Sequence, residues 1–145
     1  MAVNSDNTVL FQPMIYYYHA SNTTATSGWK TINFASSYVT HSGLTHSGGT
    51  FTCTGSAYEG YYLVNASHTH ASGSHDNYYL RIVTSNLGSH CYVRNYAGDG
   101  HSVSAMIYLA HNNTFTIDVH HGNNNHACTN GDRNLHMSAF RFNNH

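Results

Sequence analysis

Short apolar runs separated by turn-forming segments dominate this 145-residue chain. The runs are rich in β-branched and aromatic residues, and no segment has the apolar spacing of an amphipathic helix. Gly, Ser, Asn and Asp are concentrated between them, which favours turns. The spacing predicts an all-β, ten-stranded jelly-roll sandwich. The predicted strands are 9–11, 14–18, 29–34, 50–53, 61–66, 78–83, 91–96, 103–109, 114–119 and 137–142.

Two of these runs predict how the strands are covered. Along 114–119, Phe115, Ile117 and Val119 alternate with polar residues, which is typical of a half-buried antiparallel strand. Residues 60–66 begin apolar on both faces, as expected of a strand covered by the core on one side and by a partner subunit on the other. We therefore expect one oligomerising domain over residues 9–145, preceded by a tail over residues 1–8.

The composition predicts a polar surface with almost no charge. Histidine contributes 14 residues, against six acidic and five basic ones, and the formal net charge is −1. So few bases exclude the electrostatic footprint that nucleic-acid binding requires. A surface of hydroxyls, amides and flat rings is instead suited to hydrogen-bonding a sugar.

The cysteines and acids argue against two kinds of site. The three cysteines have no C-x-x-C spacing, which excludes a zinc-ribbon or thioredoxin interpretation. Either one disulfide and one free thiol form, or all three thiols are buried as small apolar residues. No Gly-x-Ser-x-Gly elbow occurs and the acids have no close pair, so we expect no enzyme. The cysteines are Cys53, Cys91 and Cys128.

Three sequons favour secretion, and the hydropathy predicts no membrane span. Asn22, Asn65 and Asn112 each begin an Asn-x-Ser/Thr sequon, which is usable only in a secreted protein. No run of about 18 apolar residues exists, so no membrane span is predicted. We expect an extracellular protein.

The order of motifs resembles the globular head domain of complement C1q, within the tumour necrosis factor-like jelly-roll superfamily. Residues 9–12 (VLFQ) and 29–34 (WKTINF) are similar to the family's first strands. Residues 49–53 (GTFTC) followed by 60–63 (GYYL) resemble its Gly-x-Phe-Thr-Cys and Gly-x-Tyr-x-Phe signature. Residues 137–142 (MSAFRF) are similar to its closing strand.

The resemblance implies a homotrimer with a role in extracellular recognition, for example in innate immunity. Invertebrate members, bivalve ones especially, include lectin-like and histidine-rich, metal-binding proteins. The chain departs from the family where residues 111–115 replace a Gly-Asp-x-Val turn and where Ala139 replaces a glycine. Family ligand sites near those positions therefore do not carry over.

Histidines on adjoining strands form a candidate metal site. His68 and His70 are two residues apart and share a face if their strand continues that far. The family topology would bring His120 or His121, and His136, into the same region. Imidazoles suit Zn²⁺, Cu²⁺ or Ni²⁺ better than Ca²⁺. On a threefold axis, one imidazole from each subunit would be enough.

Polar loop tips form a candidate sugar-binding rim. His41 and His46 lie in a Gly/Ser segment that predicts an exposed loop. An aromatic ring would pack on the apolar face of the sugar while Asn and His donate hydrogen bonds. The other candidates for this rim are Tyr17, Trp29, Asn124, Asn125 and His126.

The first interpretation is a secreted, trimeric recognition protein that binds carbohydrate or microbial surface ligands, with a histidine-coordinated transition metal as an added feature. One alternative is a dedicated extracellular metal-binding protein. Another is a structural matrix protein that assembles with pH, since histidine changes charge near neutrality.

Overall fold

The computed structural model describes residues 2–3, 9–20, 23–25, 28–68, 77–96, 101–121, 126–128 and 135–142. Among them, no helix is long and apolar enough to cross a membrane. Within these ranges the elements are β1 (Ala2–Val3), β2 (Val9–Ala20), β3 (Thr23–Ala25), β4 (Gly28–Thr31), β5 (Phe34–Val39), β6 (Leu44–Ser47), β7 (Thr50–Cys53), a 3-10 turn (Ser56–Tyr58), β8 (Gly60–His68), β9 (Asn77–Thr84), β10 (Gly88–Tyr96), β11 (His101–Leu109), β12 (Thr114–His121), β13 (His126–Cys128) and β14 (His136–Phe142).

The strands form two main antiparallel sheets, which confirms the predicted all-β jelly roll. Sheet I has the order β1-β2-β14-β8-β11, with β5 also paired to β2. Sheet II has the order β10-β9-β12-β7-β6. A separate two-stranded pair joins β13 to β3. β4 lies against β12, where the Ile32 N–H donates to the Ile117 carbonyl over 2.8 Å.

The core lies between the two sheets. From β12 it takes Phe115, Ile117 and Val119, all fully buried, which confirms the predicted alternation. From β8 it takes Tyr62 and Val64. Since successive side chains of a strand point to opposite faces, the residues of β8 that alternate with Tyr62 and Val64 lie on the outer face of sheet I.

Two predicted strand boundaries differ from the structure. Runs 9–11 and 14–18 form one strand, β2. The strand continues through Pro13 because its register against β14 shifts there, and Met14 is the extra residue of the resulting bulge. A bulge accommodates proline, which has no N–H to donate to the ladder. Run 29–34 is divided at Ile32, where the chain leaves β4 beside sheet II for β5 in sheet I.

The predicted loop around His46 contains a strand. β6 pairs with β7 through the two-residue turn Gly48-Gly49, where both residues have positive φ, +56° and +87°. Consecutive positive φ angles define the turn that best matches the twist of a hairpin, and glycine adopts them without steric cost. His46 is consequently a strand residue, not part of an exposed loop tip.

Candidate functional site

The outer face of sheet I is divided into a polar and an apolar half. On β8, β11 and β14, register places Ser67 beside Ser102 and His136, and in the next row Asn65 beside Ser104 and Ser138. Further along the same strands, the outer residues become aromatic or aliphatic. The polar half comprises Tyr16, Asn65, Ser67, Ser102, Ser104, His136 and Ser138. The apolar half comprises Tyr61, Leu63, Met106, Tyr108, Phe140 and Phe142.

A groove of about 400 Å³ occupies the polar half. All seven residues of that half line it, together with Ala66 and Val103. Among the residues that the structure describes, no Asp, Glu, Lys or Arg lines the groove. The groove therefore presents hydroxyl, amide and imidazole groups without a fixed charge.

Two hydrogen bonds order the side chains of the groove. The Ser104 hydroxyl donates to the Asn65 side-chain carbonyl over 2.6 Å. The Tyr16 hydroxyl and Nδ1 of His136 are joined by a hydrogen bond of 2.7 Å, and the two rings stack with their centroids 5.7 Å apart. These polar groups stand on paired strands of sheet I, which fixes their relative positions.

An aromatic stack borders the groove. Tyr38 lies 4.2 Å from Tyr18 and 5.5 Å from Tyr16, measured between ring centroids, in stacked geometry with both. Its side chain is 70% exposed although two other rings hold it in place. Tyr16 lines the groove, and its contact with Tyr38 sets an exposed aromatic ring beside the groove.

The apolar half is exposed to an unusual degree for such large side chains. Met106 is 57% exposed, Tyr61 51% and Tyr108 40%. Register sets Tyr61 opposite Tyr108, and their rings make an edge-to-face contact at 5.3 Å. Clustered exposed apolar side chains of this kind mark interaction surfaces.

The outer face of sheet II carries a closed cluster around Asp118. The Asp118 carboxylate accepts hydrogen bonds from the hydroxyls of Thr31 and Thr116, at 2.9 and 2.8 Å. It also accepts from Nε and Nη2 of Arg81, at 3.2 and 3.0 Å. The guanidinium carbon of Arg81 in turn lies 3.9 Å from the ring centroid of Trp29. Asp118 is buried and multiply bonded, so this cluster stabilises the fold.

Trp29 was predicted as a sugar contact, and it is half-buried in this cluster. Besides Arg81, its neighbours are His120 at 5.4 Å and Tyr79 at 6.1 Å between ring centroids. His120, predicted as a metal ligand, thus packs between aromatic rings on the outer face of sheet II.

The structure does not bring the described histidines of the predicted metal site together. His68 is buried on the core face of β8, whereas His136 faces outward from β14 opposite Ser67. His120 belongs to the other sheet. The described residues contain no group of three His, Cys, Asp or Glu side chains placed to hold an ion. His70 and the side chain of His121 lie outside the described residues.

Three residues predicted to contact a sugar, His46, Tyr17 and His41, contact other residues of the fold. His46 packs on Phe51 and Tyr17, at 4.5 and 4.8 Å between centroids, and its Nε2 accepts the Gly49 N–H over 3.2 Å. Burial lowers the pKa of His46 and raises that of Tyr17. Nδ1 of His41 accepts the Gly43 N–H over 2.9 Å. Asn124, Asn125 and the side chain of His126 lie outside the described residues.

Cys53 has the environment of a core residue. Its thiol is free and buried, and Sγ donates to the Gly55 carbonyl over 3.8 Å. Burial, with Cys53 alongside, raises the pKa of Tyr62 well above its usual value. Cys53 therefore follows the alternative of a small apolar residue. The side chains of Cys91 and Cys128 are outside the described residues.

The sequence analysis missed most of the groove. It singled out His136, but as a metal ligand, and it chose Tyr17, which packs against the core, instead of Tyr16. The missed signal is strand parity: Ser102 and Ser104 flank the buried Val103, and Ser138 lies between the buried Met137 and Ala139. Short polar residues that alternate with buried residues along neighbouring strands predict a polar outer face.

No protein family model matches the chain, and no curated protein matches its sequence. Solved structures do match its fold. Murine APRIL at pH 5.0 superposes with a TM-score of 0.71 and 8% identity, over 90% of this chain and 98% of that one. Murine APRIL at pH 8.5 gives 0.67 and 9% over the same shares. The PRD1 vertex protein P5 gives 0.61 and 16%, over 94% and 100%.

These likenesses show a tumour necrosis factor-like jelly-roll fold. At such identities they bear on the fold alone, because one fold hosts many functions. The narrower resemblance to complement C1q and its bivalve members stays a prediction.

Proposed function

We propose that this protein is a secreted, non-catalytic recognition domain that assembles as a homotrimer and binds carbohydrate, such as that of microbial surfaces. The observation that carries the proposal is the outer face of sheet I, where an exposed apolar half adjoins an uncharged polar groove. The first half is suited to a protein contact and the second to a small polar ligand.

The apolar half supports assembly with further copies of the same chain. Tyr and Met are enriched at protein interfaces, and charged residues are depleted from interface cores. Met106, Tyr61 and Tyr108 have this character on adjacent strands, and a formal net charge of −1 opposes self-association only weakly. Domains with this fold often form trimers, which agrees with the homotrimer expected from the family resemblance.

The polar half supports recognition of a sugar over recognition of a charged ligand. Only 8% of the residues are charged, and the lining that the structure describes contains none of the four charged residue types. Sugars are bound through hydroxyl and amide hydrogen bonds together with contact on an aromatic ring, and both are present around Tyr16 and Asn65.

Light scattering coupled to size exclusion tests the assembly. We expect the wild-type chain to elute as a trimer at micromolar concentration. Met106→Glu places a charge within the apolar half and should yield monomers, because burying an unpaired carboxylate is costly. Leu87→Glu is the matched control, since Leu87 is 69% exposed on a turn between two strands of sheet II. A monomeric wild-type protein, or equal dissociation of both variants, would contradict assembly through the apolar half.

A glycan array, read with and without chelator, tests the ligand class. We expect neutral glycans to bind and the signal to survive chelation. The chelator arm also tests the predicted contribution of histidine-bound Zn²⁺ or Cu²⁺. An empty array together with submicromolar metal binding in calorimetry would favour the dedicated metal-binding alternative.

A further inference from the structure

We propose that the groove in the polar half of sheet I is the sugar site, and that it takes one uncharged terminal hexose or N-acetylhexosamine with Tyr38 as its aromatic platform. This inference rests on the proposed carbohydrate function and names the surface that performs it. The groove lies away from the predicted rim residues His41, His46 and Trp29, none of which lines it.

The volume and chemistry of the groove restrict the ligand. About 400 Å³ is within the lower range of small-molecule sites. Sialylated or phosphorylated sugars would bring an anion to a groove whose lining, within the described part of the chain, supplies no Lys or Arg to pair with it. We therefore infer that the groove prefers neutral sugars.

The hydrogen-bonding groups of the groove are closely spaced and pre-arranged. Ser67, Ser102 and Ser138 add hydroxyls, each a donor and an acceptor, to the bonded pair of Ser104 and Asn65. These side chains are short and are carried by paired strands, so little conformational entropy is lost when a ligand binds. A sugar with alternating hydroxyl donors and acceptors is matched by such a set.

Tyr38 provides the apolar contact that a sugar ring requires. Its ring stacks on Tyr18 and Tyr16, and most of its side chain is exposed to solvent. Tyrosine offers a large rigid surface at low entropic cost, which makes it a frequent contact residue in binding sites. Tyr38 is not itself a lining residue and adjoins the groove through its contact with Tyr16, so we place the sugar across the edge of the groove that these two rings form.

Assembly and sugar binding use different rows of the same strands. Along β11, Ser102 and Ser104 face the groove, whereas Met106 and Tyr108 belong to the apolar half. A second copy that binds the apolar half removes apolar side chains from water. If it covered the rows of hydroxyl groups, those groups would lose hydrogen bonds that water or a sugar can make. The trimer should therefore leave the groove open.

Saturation-transfer NMR and competition titration on the wild-type trimer test the inference. The probes are the methyl glycosides of galactose, glucose, mannose and N-acetylglucosamine, with sialyllactose as the charged comparison. The inference requires an unmodified Asn65, although this residue begins a sequon, so the protein is secreted from eukaryotic cells and a glycan found on Asn65 would overturn the inference. We expect at least one neutral glycoside to bind and sialyllactose to bind no more tightly than lactose.

Four variants locate the site. Tyr38→Ala should weaken binding by about tenfold and Tyr38→Phe by no more than about twofold, because the ring face provides the contact. Ser104→Val removes a hydroxyl, fills part of the groove and should abolish detectable binding. Leu87→Ala is the control for loss of an exposed apolar side chain and should bind as the wild type does. Each variant is first checked for an unchanged unfolding midpoint.

The outcomes separate this inference from the proposed function. Glycan binding that is unaffected by Tyr38→Ala and Ser104→Val would overturn the groove as the site and leave the carbohydrate function standing. No binding of any neutral glycan would overturn both. Protection of Tyr38 and Tyr16 from hydroxyl-radical labelling in the trimer but not in the Met106→Glu monomer would show that a second copy covers the groove, and would also overturn the inference.

Discussion

The outer faces of the two sheets use polar and aromatic residues in opposite ways. On sheet II, Arg81 pairs with the buried carboxylate of Asp118 and lies over the ring of Trp29, so these polar and aromatic groups contact one another. On sheet I, hydroxyls line an open groove and Tyr38 presents its ring to solvent. The difference teaches that a charge or an aromatic ring indicates a ligand site only where the surrounding residues leave it accessible.

Asp118→Ala should produce the largest loss of stability on either outer face. The substitution removes the carboxylate that accepts hydrogen bonds from the Arg81 guanidinium and from the hydroxyls of Thr31 and Thr116. We expect the free energy of unfolding to fall by about 3 kcal/mol. Urea denaturation measures it, with Ser104→Ala as the control on sheet I. Equal effects of the two substitutions would contradict the contrast between a closed and an open face.

Trp29→Leu should cost less but act through the same cluster. It removes the cation–π contact with Arg81 and the ring contact with His120. We expect a loss of about 1 kcal/mol. In a double-mutant cycle with Arg81→Gln, the two losses should be non-additive. Additive losses would mean that Trp29 is not coupled to Arg81, and its assignment as a structural residue would fail.

His46 should make the fold sensitive to acid. Because burial lowers its pKa below 6.5, the unfolded chain takes up this proton at a higher pH than the folded chain. The contribution to stability is complete above about pH 6.5 and is lost as pH falls through 6.5 towards the lowered pKa. Denaturation at pH 7.5 and pH 5.5 should show a smaller pH effect in His46→Leu than in the wild type. The same pH effect in both proteins would exclude His46 as its source.

Tyr38→Ala should have the smallest effect on stability, within about 0.5 kcal/mol, because the side chain is largely exposed. Thermal unfolding of the variant beside the wild type measures it. A loss comparable to that of Trp29→Leu would mean that Tyr38 is a structural residue, and the two faces would then differ less than their geometry indicates.

The sequence predicted the fold better than the contacts between distant side chains, for a reason visible in single strands. Alternation at 114–119 placed Phe115 and Ile117 in the core correctly, since burial follows the period of two. The same pattern placed Asp118 on the opposite face, and that was also right. It could not indicate that Thr31 and Arg81, distant in sequence, bury the carboxylate there.

The histidine excess did not indicate which way each imidazole points, because residue type does not specify direction. His68 and His136 lie on neighbouring strands, yet they face opposite sides of sheet I. The Gly48-Gly49 turn forms a hairpin that places His46 on a strand, a signal that the sequence analysis did not use because the surrounding Ser and Gly residues favoured a loop. Groove residues such as Ser104 and Ser138 were not singled out, because an isolated serine carries no local signal of function.

Chemical-shift mapping of backbone amides in the wild-type trimer, titrated with the neutral glycoside that binds best, tests the central claim most directly. The account predicts that shifts concentrate on residues 65–67, 102–104 and 136–138, with none on 116–120. Shifts centred on Trp29 and His120, with the groove unchanged, would contradict it and make sheet II the binding face.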